Sequence, residues 1–433
     1  MTARLARQGV AVRGAGRSGS FLRPGWPLYT ILYGYPVLWA LGLAPLSWVI
    51  FSVPAMAWLW GRRHVTIPPG FGVWALFVGW MLVSASQLAV RDDLRSFSVR
   101  AGFYVAAGIW LVYVTNLPAV HIERLTRAVF WFFGFVVLAG FAGIVLPITD
   151  FATPVERALP AGLRSIEFLR EIVHAQVVQV HDFLGFAVSR PAAPFAFTNA
   201  WGAAVGILAP LAFYATRIAA GGWRRTGARV LLLLSLIPIV YSLNRGLWVS
   251  IAAAVIYVAA RLAVHGRVRP LLNVMAALLV LVVLVVVTPL GNLALERLDS
   301  GHSDERRGSL VQESLATTAE SPILGHGGPV FDPEKPDRAP IGTHGQIWLL
   351  LVSQGVVGAS LYVGALVLML VKSRKAPPDS VGFWANTAMF VALVQLPFYS
   401  QIPVQLQLVM VAAALALRSR GQEPARPVAS AAA

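Results

Sequence analysis

The chain has 433 residues, 57% hydrophobic and 12% charged, with 35 lysines and arginines against 19 acids and a net charge of +16. So little charge leaves too little polar surface to face water, which excludes soluble globular, disordered and fibrous classes and leaves a multi-span membrane protein. The absence of cysteine excludes disulfides, thiolate nucleophiles and cysteine metal sites.

Residues 1–26 read as a basic cytoplasmic tail, without an early apolar segment or a small-residue cleavage site. A bilayer core about 30 Å thick needs roughly 20 apolar residues per helix. Apolar stretches fall near 27–43, 45–61, 71–90, 101–118, 128–147, 196–216, 230–243, 246–260, 270–290, 346–371, 381–396 and 403–417. Pro45 favours two short spans over one long helix at the start. Residues 27–418 therefore read as one all-α transmembrane bundle of about 12 spans, with two long outer loops carrying short amphipathic helices, and 419–433 as a disordered cytoplasmic tail.

Charge placement agrees with that count. The segments before the first stretch and after every even-numbered one hold 22 of the 35 basic residues, but only the acids Glu123, Asp379 and Glu423. The positive-inside rule then puts both termini in the cytoplasm. Topology and anionic lipid account for the basic charge, with no nucleic acid implied. The spans carry almost no ionisable residue away from their ends, which argues against ion-coupled transport.

Polar content concentrates in two outer loops, about 148–195 and 291–344. Long loops are usually functional or disordered. In the first, Val155, Leu159, Leu163, Ile166, Leu169, Val173, Val177 and Val180 recur at helical spacing. They predict an amphipathic helix beginning after Pro160, either a lid packed on the spans or a surface platform guiding a lipid-linked substrate. That loop ends at Arg190-Pro191, and Phe195 to Gly202 enter the sixth span. An arginine there can simply snorkel. Ser242-Leu243-Asn244-Arg245-Gly246 forms a tight turn that holds Arg245 at the outer face. A fixed arginine at that depth needs an anionic partner: a loop carboxylate, a lipid phosphate or a substrate phosphate gripped by the planar guanidinium.

The second loop contains Asp304-Glu305-Arg306-Arg307, then Glu320 to Gly328, and closes on Thr343-His344-Gly345-Gln346. His344 meets a helix N-terminus, whose dipole disfavours the charged imidazole. A neutral imidazole suits a general base, while a solvated or capping histidine is the plainer reading. The eight histidines show no metal-binding spacing. Asp92-Asp93 reads as a solvated outer-loop pair beside Arg91 and Arg95, and Gly325–Gly328 lacks the lysine of a phosphate loop.

In order, these features resemble the O-antigen ligase and O-antigen polymerase family of polysaccharide-assembly membrane proteins. Three stretches carry the resemblance: Arg190 to Gly202, Ser242 to Gly246, and Arg307 through Pro322-Ile323-Leu324-Gly325 to Thr343-His344 and Gln354-Gly355-Val356-Val357-Gly358. Together they span about residues 190–370. Thr198 stands where the family commonly has proline, Asn244 where it often has serine, and Gly345 where asparagine frequently follows the histidine.

The resemblance implies glycan transfer on the outer face of the cytoplasmic membrane. The donor would be a glycan on a polyprenyl diphosphate, and the acceptor a hydroxyl on a glycan, a lipid-linked core or a protein. It implies no cofactor and no metal. It makes Arg190, Arg245 and His344 the expected catalytic residues, with Arg307, Arg306, Asn199 and Asn244 binding substrate. A flippase of lipid-linked glycan is the alternative. It would need a polar path through the bundle rather than a one-sided site.

Overall fold

The computed structural model describes residues 23–88, 91–146, 149–164, 166–182, 187–219, 221–287, 302–331 and 340–418. Residues 1–22 and 419–433 of the expected tails lie outside the described residues.

The chain is mostly helical. α1 (Trp26–Leu41) ends where Gly42 takes a φ of +83°, and α2 (Ala44–Ile50) and α3 (Ser52–Trp60) follow as separate helices. The break lies where Pro45 placed it. α4 (Phe71–Ser84), α5 (Arg91–Asn116) and α6 (Val120–Val145) complete the first half. The loop that follows carries α7 (Pro154–Ala158), α8 (Ala161–Arg164) and α9 (Glu167–Val173). It also carries β1 (Asp150–Phe151) paired with β2 (Ala175–Gln176), and β3 (Val178–Asp182) paired with β4 (Ala187–Pro191), both antiparallel. Next come α10 (Thr198–Ile218), α11 (Trp223–Leu234), α12 (Leu236–Tyr241), α13 (Arg245–Val264), α14 (Arg269–Val287) and α15 (His302–Glu320). The last are α16 (Gln346–Ser373), α17 (Val381–Gln395) and α18 (Gln405–Arg418).

Among the described residues, five stretches are long and apolar enough to cross a membrane: Asp93–Asn116, Val120–Val145, Thr198–Ile218, Arg245–Val264 and Gln346–Ser373. Ala44–Trp60, Phe71–Gln87, Val381–Gln395 and Gln405–Arg418 are apolar but shorter. At the centre, α18 packs on α5, α10, α16 and α17, with every residue from Gln405 to Leu417 buried. Its alanines at 412–414 and 416 let neighbouring backbones approach closely.

One end of the bundle is held by arginines on helix ends. Arg261 donates to the carbonyls of Phe383 and Arg374 at 2.8 and 2.9 Å, and Arg418 to that of Val114 at 3.0 Å. The carbonyls of Arg374, after α16, and Val114, near the end of α5, lie at helix C-termini, whose orphan carbonyls and negative dipole suit a cation; that of Phe383 is in the first turn of α17. Asp379 links Arg217 and Arg267 there, at 2.8 and 3.3 Å.

Four local expectations are corrected. The amphipathic helix of the first loop is broken into α7, α8 and α9, because Pro154 and Pro160 restart it. Val177 and Val180 lie instead in extended chain, where the β-branched run Val177-Val178 favours a strand. Ile166, Leu169, Ile172 and Val173 join the main core, so this loop is packed on the bundle as a lid. The second loop holds a 19-residue helix, α15, with Asp304 and Glu305 near its start and Pro322 just beyond its end. Asp92 and Asp93 belong to the first turn of α5 rather than a loop, a position that favours acids. The seventh apolar stretch is divided at Ser235, since Pro238 has no N–H to offer the carbonyl of Leu234.

Candidate functional site at the His344 end of the bundle

Arg190 stands in β4 opposite Gln179 of β3. Its side chain is 9% exposed, and its Nε donates to the Ser242 carbonyl at 2.6 Å. The hairpin thus holds a buried guanidinium against the turn between α12 and α13. Gln179 also fixes the start of α10, accepting from the Thr198 backbone N–H at 3.1 Å. Asn199, in the first turn of α10, is exposed.

The turn itself is tightly determined. The Ser242 hydroxyl donates to the Ile239 carbonyl at 2.8 Å, and Leu243 sits at a φ of +49°, which non-glycine residues seldom adopt. Asn244 is 3% exposed; it donates to the Thr198 carbonyl at 3.2 Å and accepts from the Tyr399 hydroxyl. Gly202 makes room for it, since a Cβ there would lie 2.3 Å from Asn244 Nδ2. Asn244 was expected to bind substrate. In the fold its polar atoms tie α10, the turn and Tyr399 together. Arg245 then opens α13 with its side chain exposed.

His344 is exposed one residue ahead of Gly345, the N-cap of α16. Gly345 passes so close to the 396–401 connector that a Cβ would lie 2.5 Å from the Pro397 carbonyl. That contact gives a physical reason for glycine where the family often has asparagine. Gln346 is wholly buried: its side chain donates to the Tyr104 hydroxyl at 2.9 Å and accepts from the Gln401 N–H at 2.8 Å. Its own N–H donates to the Tyr399 carbonyl at 2.8 Å. Tyr399 therefore joins the Arg245 turn to the His344 turn.

No acid occupies the first turn of α10, α13 or α16. Asn244 ties the start of α10 to that of α13, and Tyr399 ties both to the start of α16, and the positive ends of these helices favour an anion. Arg306 and Arg307 fall on α15, but their side chains lie outside the description. After α15, the chain from Ser321 to Gly328 docks into a break in α16. His326 and Gly327 donate to the Val352 and Ser353 carbonyls at 2.9 and 2.8 Å, and Val356 donates to that of Pro322 at 2.8 Å. Gly325 and Gly355 both take a φ of +67°. The Pro-Ile-Leu-Gly and Gln-Gly stretches of the sequence are thus two halves of one packing joint.

Sequence reasoning missed Tyr399, Gln346, Gln401 and Arg100. Arg100 of α5 lies over the Phe168 ring at 4.7 Å and donates to Ser96 Oγ at 2.5 Å. The run Gln395, Gln401, Gln405 and Gln407 in an apolar context was the available signal, since buried amides need partners.

Residues 230–363 match the O-antigen ligase family. The family resemblance is borne out over that stretch, which runs from α11 into α16 and includes Arg245, Arg306, Arg307 and His344. Arg190 and Asn199 precede the matched O-antigen ligase segment. The hydrogen bond to Ser242 is what attaches Arg190 to it. No curated protein matches the chain.

Proposed function

We propose that this protein is a glycosyltransferase of the O-antigen ligase or polymerase type. It moves a glycan from a polyprenyl diphosphate to a hydroxyl of a glycan or lipid-linked acceptor. The work is done on the outer face of the cytoplasmic membrane, by a bundle of about 12 spans with both termini inside. The supporting observation is the bond from Arg190 to the Ser242 carbonyl, which sets a buried guanidinium beside the turn that carries Arg245.

In this reading His344 takes the proton of the acceptor hydroxyl. The acceptor oxygen forms its bond to the anomeric carbon as the bond from that carbon to the phosphate oxygen breaks. The electron pair leaves with the polyprenyl diphosphate, and attack opposite the leaving group inverts the anomeric centre. Arg190 and Arg245 stabilise the charge that develops on the diphosphate, aided by the positive helix ends and by Arg306 or Arg307. No metal or cofactor enters the scheme. Exposed Asn199 meets the substrate, whereas Asn244 holds the turn.

Deletion of the gene in its own host tests this. Lipid-linked glycan should accumulate on the outer face and be cleared by the wild-type gene but not by His344→Ala or Arg245→Ala at equal membrane expression. Accumulated single repeat units mark a polymerase, and long unattached chains a ligase. Full complementation by both variants would overturn the site.

A further inference from the structure

Beside the entry of α10 lies an open cleft lined by Glu156, Arg170, Glu171, His174, Gln176 and Phe197. Most of its polar groups are already committed. Glu156 Oε2 accepts from the Thr153 N–H at 3.3 Å and pairs with His174 Nδ1 at 2.8 Å. His174 Nε2 faces Asp150 at 3.3 Å. Gln176 donates to the Ala196 carbonyl. Glu171 differs: it forms no hydrogen bond or close ion pair among the described residues, although it is partly buried. Burial, then Glu167, pushes its carboxyl up to about 7, while Arg100 and Arg170 pull the other way. Near neutral pH it is therefore often a protonated acid, both donor and acceptor. Across the cleft, Phe197 keeps 38% of its surface exposed, immediately before Thr198 and Asn199 of α10.

A lone carboxyl able to give and take a hydrogen bond, in one cleft with an exposed ring, matches a sugar: hydroxyls on its edge and a C–H surface on its face. The cleft adjoins the hairpin of Arg190 through Gln176 and β3. We propose that this cleft is a subsite for a neutral sugar residue of the glycan, held by Glu171 through a hydroxyl and covered by the Phe197 ring. The inference rests on the glycosyltransferase reading. The sugar belongs to either the donor chain or the acceptor chain.

The test uses the full-length protein in lipid nanodiscs, with Glu171→Leu, Glu171→Gln and Phe197→Ala. Transfer is followed while donor and acceptor glycan are varied separately. Glu171→Leu and Phe197→Ala should each raise KM for one of the two substrates by about tenfold, the size of one lost ligand hydrogen bond, with kcat changed by less than about threefold. The substrate whose KM moves identifies the source of the sugar. Glu171→Gln, which keeps a donor and an acceptor, should raise KM less than Glu171→Leu. Unchanged KM for both substrates in both Glu171→Leu and Phe197→Ala, or a loss confined to kcat, would overturn the subsite.

A second measurement separates this from failure of the parent reading. Glycan released by mild acid from the host's lipid-linked pool is the probe for saturation-transfer NMR on the same nanodiscs. If the wild type transfers nothing yet binds the probe, and Glu171→Leu and Phe197→Ala lose that binding, the subsite stands and the transferase reading falls. If the wild type neither transfers nor binds the probe, both fall. If it transfers but binding is unchanged in the variants, the subsite alone falls.

Discussion

At the residue scale, the exposed arginine and histidine do different work from the buried amides beneath them. Arg245 and His344 project from turns whose backbones are fixed by Asn244, Tyr399 and Gln346. Replacing His344 by alanine should lower the transfer rate roughly 10²–10⁴-fold, and Arg245→Ala by a comparable factor, in a single-turnover assay. Tyr399→Phe tests the support instead. It leaves the buried Asn244 Oδ1 without its donor, which should cost about 1–3 kcal/mol and lower the melting temperature in detergent. Glu171 predicts a pH effect. Its carboxyl is raised to about 7 in the fold, with Glu167 and Arg170 on its own helix, Arg100 on α5, and Glu156 and His174 across the cleft. A raised acid means that the folded state binds the proton more tightly. Its contribution to stability is therefore present below the unfolded value near 4.5 and lost as pH rises towards 7. Thermal scans between those values should show that decline, and Glu171→Gln should flatten it.

At the element scale, the joint between the turn after α15 and the break in α16 is the most exacting feature. A Cβ on Gly355 would lie 2.2 Å from the Ile323 carbonyl oxygen, and one on Gly325 would lie 2.5 Å from the Ser353 carbonyl carbon. Both also hold positive φ. Gly355→Ala should thus destabilise by at least about 1–3 kcal/mol, seen as faster proteolysis between α15 and α16. The glycines were visible in the sequence, but their meaning was not. Two stretches some 30 residues apart meet only in the fold. The same holds for Arg190 and Ser242, and for Asn244 and Tyr399. By contrast, the apolar stretches and the turn at Ser242–Gly246 were legible, because hydropathy and local turn chemistry act over a few neighbouring residues. The helix of the first loop is broken where Val177 and Val180 keep helical spacing but β-branched Val177-Val178 favours extended chain, which turns the two valines to opposite faces, one buried and one exposed.

For the whole molecule, composition and the apolar helices point to the membrane class, and the orientation proposed from charge asymmetry is one that the packing alone leaves open. The absence of cysteine makes that orientation easy to test. Leu163→Cys and His64→Cys both introduce a thiol at an exposed position, on opposite ends of the bundle. A membrane-impermeant maleimide should label the first in intact cells, and the second only after the membrane is opened. The reverse pattern would invert the topology and put Arg245 and His344 on the wrong side for a glycan carried on the outer face.

In the proposed function, Arg190, Arg245 and His344 form one site for glycan transfer. Reconstitution of the purified protein with the host's lipid-linked glycan and acceptor tests it most directly, by following transferred glycan and freed polyprenyl diphosphate together. The two products should appear in equal amounts with the wild type, and each should fall at least about 100-fold in Arg245→Ala and in His344→Ala. Wild-type rates in both variants, or a wild type that moves lipid-linked glycan across the bilayer without releasing polyprenyl diphosphate, would contradict it.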